Sequence, residues 1–250
     1  VSETTMTMWD FKLSRPDLFF MPAGPAGIAA GVELRRETFS DDRDDRLDGT
    51  ITFTNNAGQT TGSDVMGASP TPDTRGSRSV QGAFVELAVP LVSSAMNIPL
   101  VHSLDLQLAA RAENYSIFGS VAKPKVALAW RPASWMMVRT AWSEGFRAPN
   151  LPQLYEQGVE RANTRTDWIR CEIEVQAGRI ADFNACSASV SSVSQRSGSQ
   201  DLKPEESENF TVGVVIEPRF LPSEWGELTL TADYWNIQQE SLIGIFGDAN

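Results

Sequence analysis

The chain has 250 residues, of which 41% are hydrophobic, and a net charge of −11. The acidic balance argues against a nucleic-acid partner, because binding to phosphates requires a basic surface. The sequence contains no apolar run of the roughly eighteen residues that a transmembrane helix needs, which excludes an α-helical membrane protein but not a transmembrane β-barrel, whose strands are only moderately hydrophobic.

Alternating apolar and polar residues predict an all-β protein with about eight long strands. The clearest example is the segment 100–113, in which Leu106 and Leu108 alternate with Asp105 and Gln107. A period of two residues over this length excludes a helical stripe. In chain order, the predicted strands cover residues 1–13, 28–39, 79–91, 100–113, 121–131, 135–143, 209–217 and 227–236. Helical periodicity is weak throughout the sequence.

The connections between the predicted strands alternate in length. Two long polar segments, residues 40–78 and 145–206, contrast with much shorter connections. The short ones lie at 93–99, 131–134 and 220–225. This segregation is typical of outer-membrane barrels, whereas the strands of soluble sandwiches are usually only about five or six residues long. Because successive connections lie at opposite ends of the strands, we expect 40–78, 145–206 and the short connection 115–119 to face outward.

The two cysteines, Cys171 and Cys186, lie fifteen positions apart in a polar segment. A zinc site would need further ligands, and the single histidine, His102, lies far away in a predicted strand. We therefore favour a disulfide that closes one long loop, which indicates an oxidising compartment such as the periplasm or the cell surface. Two unpaired thiols are the alternative.

No arrangement of residues indicates an enzyme, a cofactor site or a metal site. A lone histidine does not support a Ser-His-Asp arrangement. The acidic segment 41–49 is rich in oxygen ligands, but its spacing differs from that of an EF-hand loop, and Arg43 and Arg46 interrupt it. We interpret this segment as a solvated charged loop.

Two short runs carry the most specific signal in the chain. The run Gly145-Phe146-Arg147-Ala148-Pro149 follows a predicted strand, and Leu202-Lys203-Pro204-Glu205 precedes the next one. The glycine allows the chain to leave the sheet, and the proline at position 149 prevents further ladder pairing. Upstream, Arg111-x-Glu113-x-Tyr115 and Pro124-Lys125 follow in this order. Together these segments resemble the barrel signature of the TonB-dependent outer-membrane receptors.

The resemblance implies a segment of an antiparallel transmembrane β-barrel. Receptors of this family resemble a 22-stranded barrel filled by an N-terminal plug domain that engages TonB. Residues 1–250 correspond to one barrel segment of about eight strands with long extracellular loops, without a plug and without a terminal aromatic strand. We expect other polypeptide to complete the barrel, because an open wall would expose unpaired strand edges to lipid. The first residues lack the features of a signal peptide, which leaves a cytosolic chain or a mature or truncated product, and we favour a truncated product.

The resemblance also implies a function. We expect a receptor in the outer membrane of a Gram-negative cell that imports a ferric siderophore, cobalamin or a carbohydrate-like compound with energy supplied through TonB. Its expected partners are outer-membrane lipid and lipopolysaccharide, the remaining barrel and plug, the TonB complex and the small-molecule nutrient. The alternatives are a surface-binding, adhesive or structural barrel that does not transport, and a soluble secreted β-protein.

Candidate functional residues lie in the long loop and on the strands. We expect the segment 145–206 to contact the ligand, with Tyr155 and Trp168 as candidate residues. The alternation predicts that a set of charged strand residues faces the lumen, where they hydrate the wall, hold the plug or contact substrate. This set consists of Glu33, Arg35, Arg111, Glu113 and Arg139.

Overall fold

An eight-stranded antiparallel sheet dominates the computed structural model, which describes residues 1–218, 226 and 228–244. In chain order, the strands are β1 (Ser2–Met21), β2 (Gly24–Asp41), β3 (Phe53–Thr54), β4 (Thr60–Thr61), β5 (Thr74–Val92), β6 (Ser103–Tyr115), β7 (Gly119–Ala133), β8 (Met136–Arg147), β9 (Val159–Thr166), β10 (Ser189–Arg196), β11 (Glu205–Ile216) and β12 (Leu230–Glu240). The prediction of an all-β chain with about eight long antiparallel strands is confirmed. The predicted start of the last strand at Glu227 and the predicted connection 220–225 lie outside the described residues.

The sheet is a meander in which each long strand pairs with the next long strand along the chain. Its order is β1-β2-β5-β6-β7-β8-β11-β12. In the described part of the chain, β1 pairs only with β2 and β12 pairs only with β11. The sheet therefore has two open edges and does not close into a barrel.

The register of the strands gives the sheet one apolar and one polar face. On the apolar face, Leu108 of β6 lies opposite Leu87 of β5 and Val126 of β7. No second layer covers this face within the described residues, so Trp9 and Phe11 of β1 are 58% and 56% exposed. A wall with apolar residues on one face and polar residues on the other is the pattern of a transmembrane β-barrel.

β1 continues beyond residue 13, where the sequence pattern predicts its end. Pro16 lies inside the strand, and the register shifts between Arg15 and Phe19. Proline lacks the backbone N–H that a strand ladder needs, but it is tolerated at a bulge such as this register shift. The alternation alone therefore underestimates the length of this strand.

Two long segments interrupt the meander at one end of the sheet. Residues 42–73 connect β2 to β5 and contain the β3–β4 hairpin. Residues 148–204 connect β8 to β11 and contain the β9–β10 hairpin and two helices, α1 (Leu151–Tyr155) and α2 (Trp168–Gln176). The connections 22–23 and 134–135 at the opposite end are short. No helix among the described residues has the length and apolar character needed to cross a membrane.

The two helices are not predicted by the sequence pattern, although both begin with a side-chain cap. Asn150 Oδ1 accepts a hydrogen bond of 2.8 Å from Gln153 N, and Gln153 Oε1 accepts one of 2.8 Å from Asn150 N. Asp167 Oδ1 accepts a hydrogen bond of 2.9 Å from Arg170 N. Such caps stabilise a first turn by about 1 kcal/mol. Because both helices are short, these caps are a clearer sequence signal than their periodicity.

Candidate ligand-binding loop and its anchor

The two sequence runs that carry the family resemblance meet at the base of the 148–204 loop. Arg147 ends β8 and Glu205 begins β11, and the two residues are partners in the strand register. The guanidinium donates to both carboxylate oxygens, with Nε–Oε2 at 2.6 Å and Nη2–Oε1 at 2.7 Å. Ile243 N adds a hydrogen bond of 2.8 Å to Glu205 Oε1. Paired charges of this planar geometry fix direction as well as distance, so they hold the two ends of the loop together.

The remaining residues of the two runs lie at the same base. Pro149 is fully buried, and its carbonyl accepts a hydrogen bond from Arg78 of β5. Phe146 stands edge-on to Tyr115 of β6, with ring centroids 6.2 Å apart. A Cβ on Gly145 would lie 2.7 Å from Ser207 Oγ. The other members, which lie just outside β8 and β11, are Ala148, Leu202, Lys203 and Pro204.

Helix α1 attaches the loop to the wall of the sheet. Leu151 and Leu154 are buried at 6% and 2% exposure. The Tyr155 ring packs on Gly76 of β5, and its hydroxyl donates to Ser77 O at 3.2 Å. Tyr155, a candidate ligand contact in the sequence, therefore has a structural role in this anchor.

The returning end of the loop packs against α1. Gly198 N donates to Glu156 O at 2.8 Å, and a Cβ at Gly198 would lie 2.7 Å from Gln153 O. Only a glycine permits this close approach of two backbones. Arg196 forms two hydrogen bonds of 2.7 Å with the Glu156 carboxylate, and this hydrogen bonding raises the pKa of Arg196. The first and last parts of the loop are thus bound to each other.

The outer part of the loop contains the disulfide and the exposed Trp168. Cys171 of α2 is completely buried and is bonded to Cys186, which follows a short 3₁₀ turn at Phe183–Ala185. Trp168 is 59% exposed, and its ring centroid lies 6.1 Å from that of Phe183. Tyr155 and Trp168 therefore make separate contacts, one with the sheet and one within the disulfide-closed part of the loop.

The two long loops also contact each other. Glu160 N donates to Pro70 O at 3.2 Å, and Arg161 Nη1 lies 3.4 Å from Thr71 Oγ1. The 42–73 loop thus supports the base of the β9–β10 hairpin.

Four of the five charged strand residues singled out in the sequence form one cluster on the polar face of the sheet. Arg35 forms an ion pair with Glu33 at 2.6 Å, and its Nη2 lies 3.8 Å from Glu113. Arg111 binds Glu113 through Nε at 2.5 Å and lies 3.4 Å from Glu33. The hydroxyl of Tyr115 donates to Glu113 at 2.7 Å. Each carboxylate of this cluster therefore has at least two partners.

The cluster extends to residues that the sequence analysis does not single out. Arg35 Nε lies 2.7 Å from Glu37 without hydrogen-bond geometry, so this contact is an ion pair only. Glu37 also binds Arg78 at 2.6 Å, and the Arg78 guanidinium lies 5.4 Å above the Tyr115 ring. Glu37 continues the alternation of Glu33 and Arg35, which is the signal that could have identified it.

Arg139, the fifth of these residues, lies apart from the cluster. Its Nη2 binds both carboxylate oxygens of Asp233 on β12 at 2.9 Å. Gly213 of the intervening strand β11 permits this contact, since a Cβ there would lie 1.9 Å from Asp233 Oδ1. Among the residues that the structure describes, no group of three or more His, Cys, Asp and Glu side chains has a geometry suited to a metal ion.

The comparison with protein families gives a match to the model described as TonB dependent receptor-like, beta-barrel, over residues 3–250. The chain belongs to the TonB-dependent receptor family. The resemblance carried by the two sequence runs is therefore confirmed. Membership of this family implies the outer membrane of a Gram-negative cell. No curated protein matched the sequence.

Two solved TonB-dependent receptors illustrate the shared fold. The siderophore receptor PirA from Acinetobacter baumannii has a TM-score of 0.59 and 17% identity, over 92% of this chain and 26% of PirA. The ferric enterobactin receptor PfeA from Pseudomonas aeruginosa, solved as a mutant, has a TM-score of 0.59 and 16% identity, over 95% of this chain and 27% of PfeA. At these identities the likeness shows the fold alone. The chain spans about a quarter of the length of these receptors.

Proposed function

We propose that the chain forms part of the wall and outer surface of an outer-membrane receptor that imports a small-molecule nutrient with energy supplied through TonB. The observation that carries this proposal is the family match over residues 3–250, which includes every strand of the sheet. The mechanism is binding followed by rearrangement of a plug domain. It requires no covalent chemistry, so the chain acts as a receptor component and not as an enzyme.

We place the end of the sheet with the long loops outside the cell. Residues 42–73, 116–118 and 148–204 connect strands at this end, whereas 22–23, 93–102 and 134–135 connect them at the other. Long outer loops and short periplasmic turns are the rule in bacterial outer-membrane barrels. The long loops, and residues 148–204 above all, are then the surface that meets the nutrient.

The two faces of the sheet have different environments in this proposal. The apolar face contacts outer-membrane lipid and lipopolysaccharide, since hydrocarbon accepts its exposed side chains without cost. The polar face, with the cluster around Arg35 and Glu113, lines the lumen and contacts the plug. Further strands of the receptor pair with β1 and β12, because an unpaired strand edge is not tolerated in lipid.

The nutrient belongs to the range that the family suggests: a ferric siderophore, cobalamin or a carbohydrate-like compound. The siderophore class is favoured by the two solved receptors with the same fold, a siderophore receptor and a ferric enterobactin receptor. With identities of 16–17%, the likeness to them concerns the fold.

Uptake by cells tests the proposal. The complete receptor is produced in otherwise isogenic tonB⁺ and tonB-deleted Gram-negative cells, which receive radiolabelled ferric enterobactin, cobalamin or maltooligosaccharide. We expect the receptor in the outer-membrane fraction, with heat-modifiable migration, and binding of one probe in both strains but accumulation only in the tonB⁺ strain. Binding without accumulation in either strain would support a non-transporting surface protein, and recovery of the receptor in the soluble fraction would contradict the membrane assignment.

A further inference from the structure

A hollow of about 850 Å³, most of whose lining residues are polar, lies between helix α1 and the β9–β10 hairpin. Sites for small molecules usually measure about 300–1,000 Å³. The hairpin register pairs Arg161 with Ser194 and puts Arg196 on the same face of the hairpin. These three residues form the floor of the hollow, and Gln153 and Glu156 line its α1 side.

The lining of the hollow is rich in hydrogen-bond donors. Asn150 and Gln153 use their side-chain oxygens in the helix cap. Their amide NH₂ groups make no hydrogen bond within the described residues. Arg196 binds Glu156 through Nε and Nη2, which leaves Nη1 as a further donor. A ligand with several oxygen acceptors would complement this arrangement.

The hollow is also positively charged, although the chain as a whole carries −11. Among the described residues, its charged lining residues are Arg161, Arg196 and Glu156, which gives two positive charges and one negative charge, a net of +1. Glu156 neutralises Arg196. Arg161 has no carboxylate partner in the described part of the chain and binds only Thr71 Oγ1 and its neighbour's carbonyl. A single uncompensated guanidinium is thus available to an anion.

One buried hydroxyl beside the hollow lacks a partner. Ser192 is the next position after Ser194 on the same face of the hairpin, and it pairs with Asn163, which lines the hollow. Ser192 Oγ is buried and makes no hydrogen bond within the described residues. Buried polar atoms nearly always have partners in a complete structure, but Ser192 is not among the residues that line the hollow, so it supports the polar character of this face of the hairpin and is not itself a ligand contact.

We propose that this hollow binds an oxygen-rich, hydroxylated carboxylate, either as the nutrient itself or as its polar end. The carboxylate pairs with the fork of Arg161, because a guanidinium presents two parallel N–H groups that match carboxylate geometry. The hydroxyl groups of the ligand accept from the amides of Asn150 and Gln153 and donate to the serine hydroxyls. Among the described residues, no aromatic side chain lines the hollow. This inference rests on the proposed function as a nutrient receptor.

Calorimetry on the complete receptor tests the ligand class with three probes. D-gluconate has both a carboxylate and hydroxyl groups, D-glucitol has hydroxyl groups only, and acetate has a carboxylate only. We expect D-gluconate to bind at least tenfold more tightly than either other probe. Similar affinity for D-glucitol or acetate, or no binding of D-gluconate, would overturn the proposed class.

Two variants and a matched control identify the hollow as the site. Arg161→Gln removes the charge and should weaken D-gluconate binding by about 10- to 100-fold, the range for a hydrogen bond to a charged group. Ser194→Ala should weaken it by about threefold or more on the same grounds. Arg170→Gln, an exposed arginine on α2 that is paired with Glu174 outside the hollow, should leave binding unchanged. An equal loss in Arg170→Gln, or no loss in Arg161→Gln, would contradict the assignment.

The test of the ligand site can be distinguished from the test of the proposed import function. Each variant is checked for outer-membrane location and heat-modifiable migration, which report folding. A receptor that accumulates a nutrient in a TonB-dependent manner but does not bind D-gluconate refutes this inference alone. A receptor that binds D-gluconate in the hollow but accumulates no nutrient refutes the import function and leaves the site.

Discussion

The ring of Tyr155 occupies the space that a side chain on Gly76 would need. A Cβ at Gly76 would lie 2.2 Å from the ring, and the Tyr155 hydroxyl donates to Ser77 O at 3.2 Å. Strand β5 therefore holds helix α1 in place only because position 76 has no side chain. Together with the hydrogen bond from Arg78 to the Pro149 carbonyl, this contact fixes the base of the 148–204 loop to the wall of the receptor.

Replacing Gly76 should release the loop from the sheet. Gly76→Ala places a methyl group within the Tyr155 ring, so α1 must move away, at a cost of about 1–3 kcal/mol for overpacking. We expect faster cleavage by trypsin within 148–204 of the folded receptor. Gly82→Ala on the same strand is the control, because its Cβ would make only ordinary contacts at 3.6 Å or more. Equal protease resistance in Gly76→Ala and the parent protein would show that the anchor is unimportant.

The sequence predicts the strands of the sheet well because their signal is local. Alternation along one strand, such as β6, depends only on which side chains lie on the apolar face of the sheet and which lie on the polar face. The signal fails where the ladder is irregular: β1 continues through Pro16, because a bulge in the register there tolerates the missing N–H. The loop helices are likewise missed, because they depend on the caps at Asn150 and Asp167 more than on periodicity.

The sequence predicts the polar partners less completely because they depend on the register between strands. Alternation places Arg139 on the same face as Arg35 and Arg111, but not at the same height along the sheet. In the structure Arg139 binds Asp233 on β12 instead. The pairing of Arg147 with Glu205 follows from the β8–β11 register, although both residues already belong to the runs that carry the family resemblance.

We expect the two parallel hydrogen bonds between Arg147 and Glu205 to hold the two ends of the 148–204 loop together. Arg147→Lys keeps the charge but loses the two parallel hydrogen bonds, so we expect it to increase trypsin cleavage of the loop almost as much as Arg147→Gln does. Glu205→Gln combined with Arg147→Gln should add little to either single change, because both remove the same interaction. Strictly additive cleavage rates in this double-mutant cycle would contradict direct coupling between the residues.

Glu113 should contribute more to stability than a neighbouring carboxylate on the same face. Its side chain is 6% exposed and is bound by Arg111 and Tyr115. Glu113→Gln leaves these partners without a charged acceptor, which should cost about 1.5–3 kcal/mol and lower the denaturation midpoint of the complete receptor. Glu86→Gln is the control, since Glu86 lies on the same face, is exposed and forms no ion pair within the described residues. Equal denaturation midpoints for Glu113→Gln and Glu86→Gln would show that the charged cluster around Glu113 does not stabilise the receptor.

The Cys171–Cys186 bond should stabilise the outer part of the 148–204 loop without affecting the sheet. The bond closes a sequence separation of 15 residues, for which the chain-entropy model gives about 3 kcal/mol. In a receptor with both residues changed, Cys171→Ser and Cys186→Ser, we expect faster hydrogen exchange in 168–190 and an unchanged exchange rate in β6 and β7. Reductant should produce the same local effect in the parent protein and no further effect in the variant. Within the described residues, α2 packs mainly against the 3₁₀ turn and not against β6 or β7. Faster exchange in β6 or β7 would therefore contradict the local role of the bond.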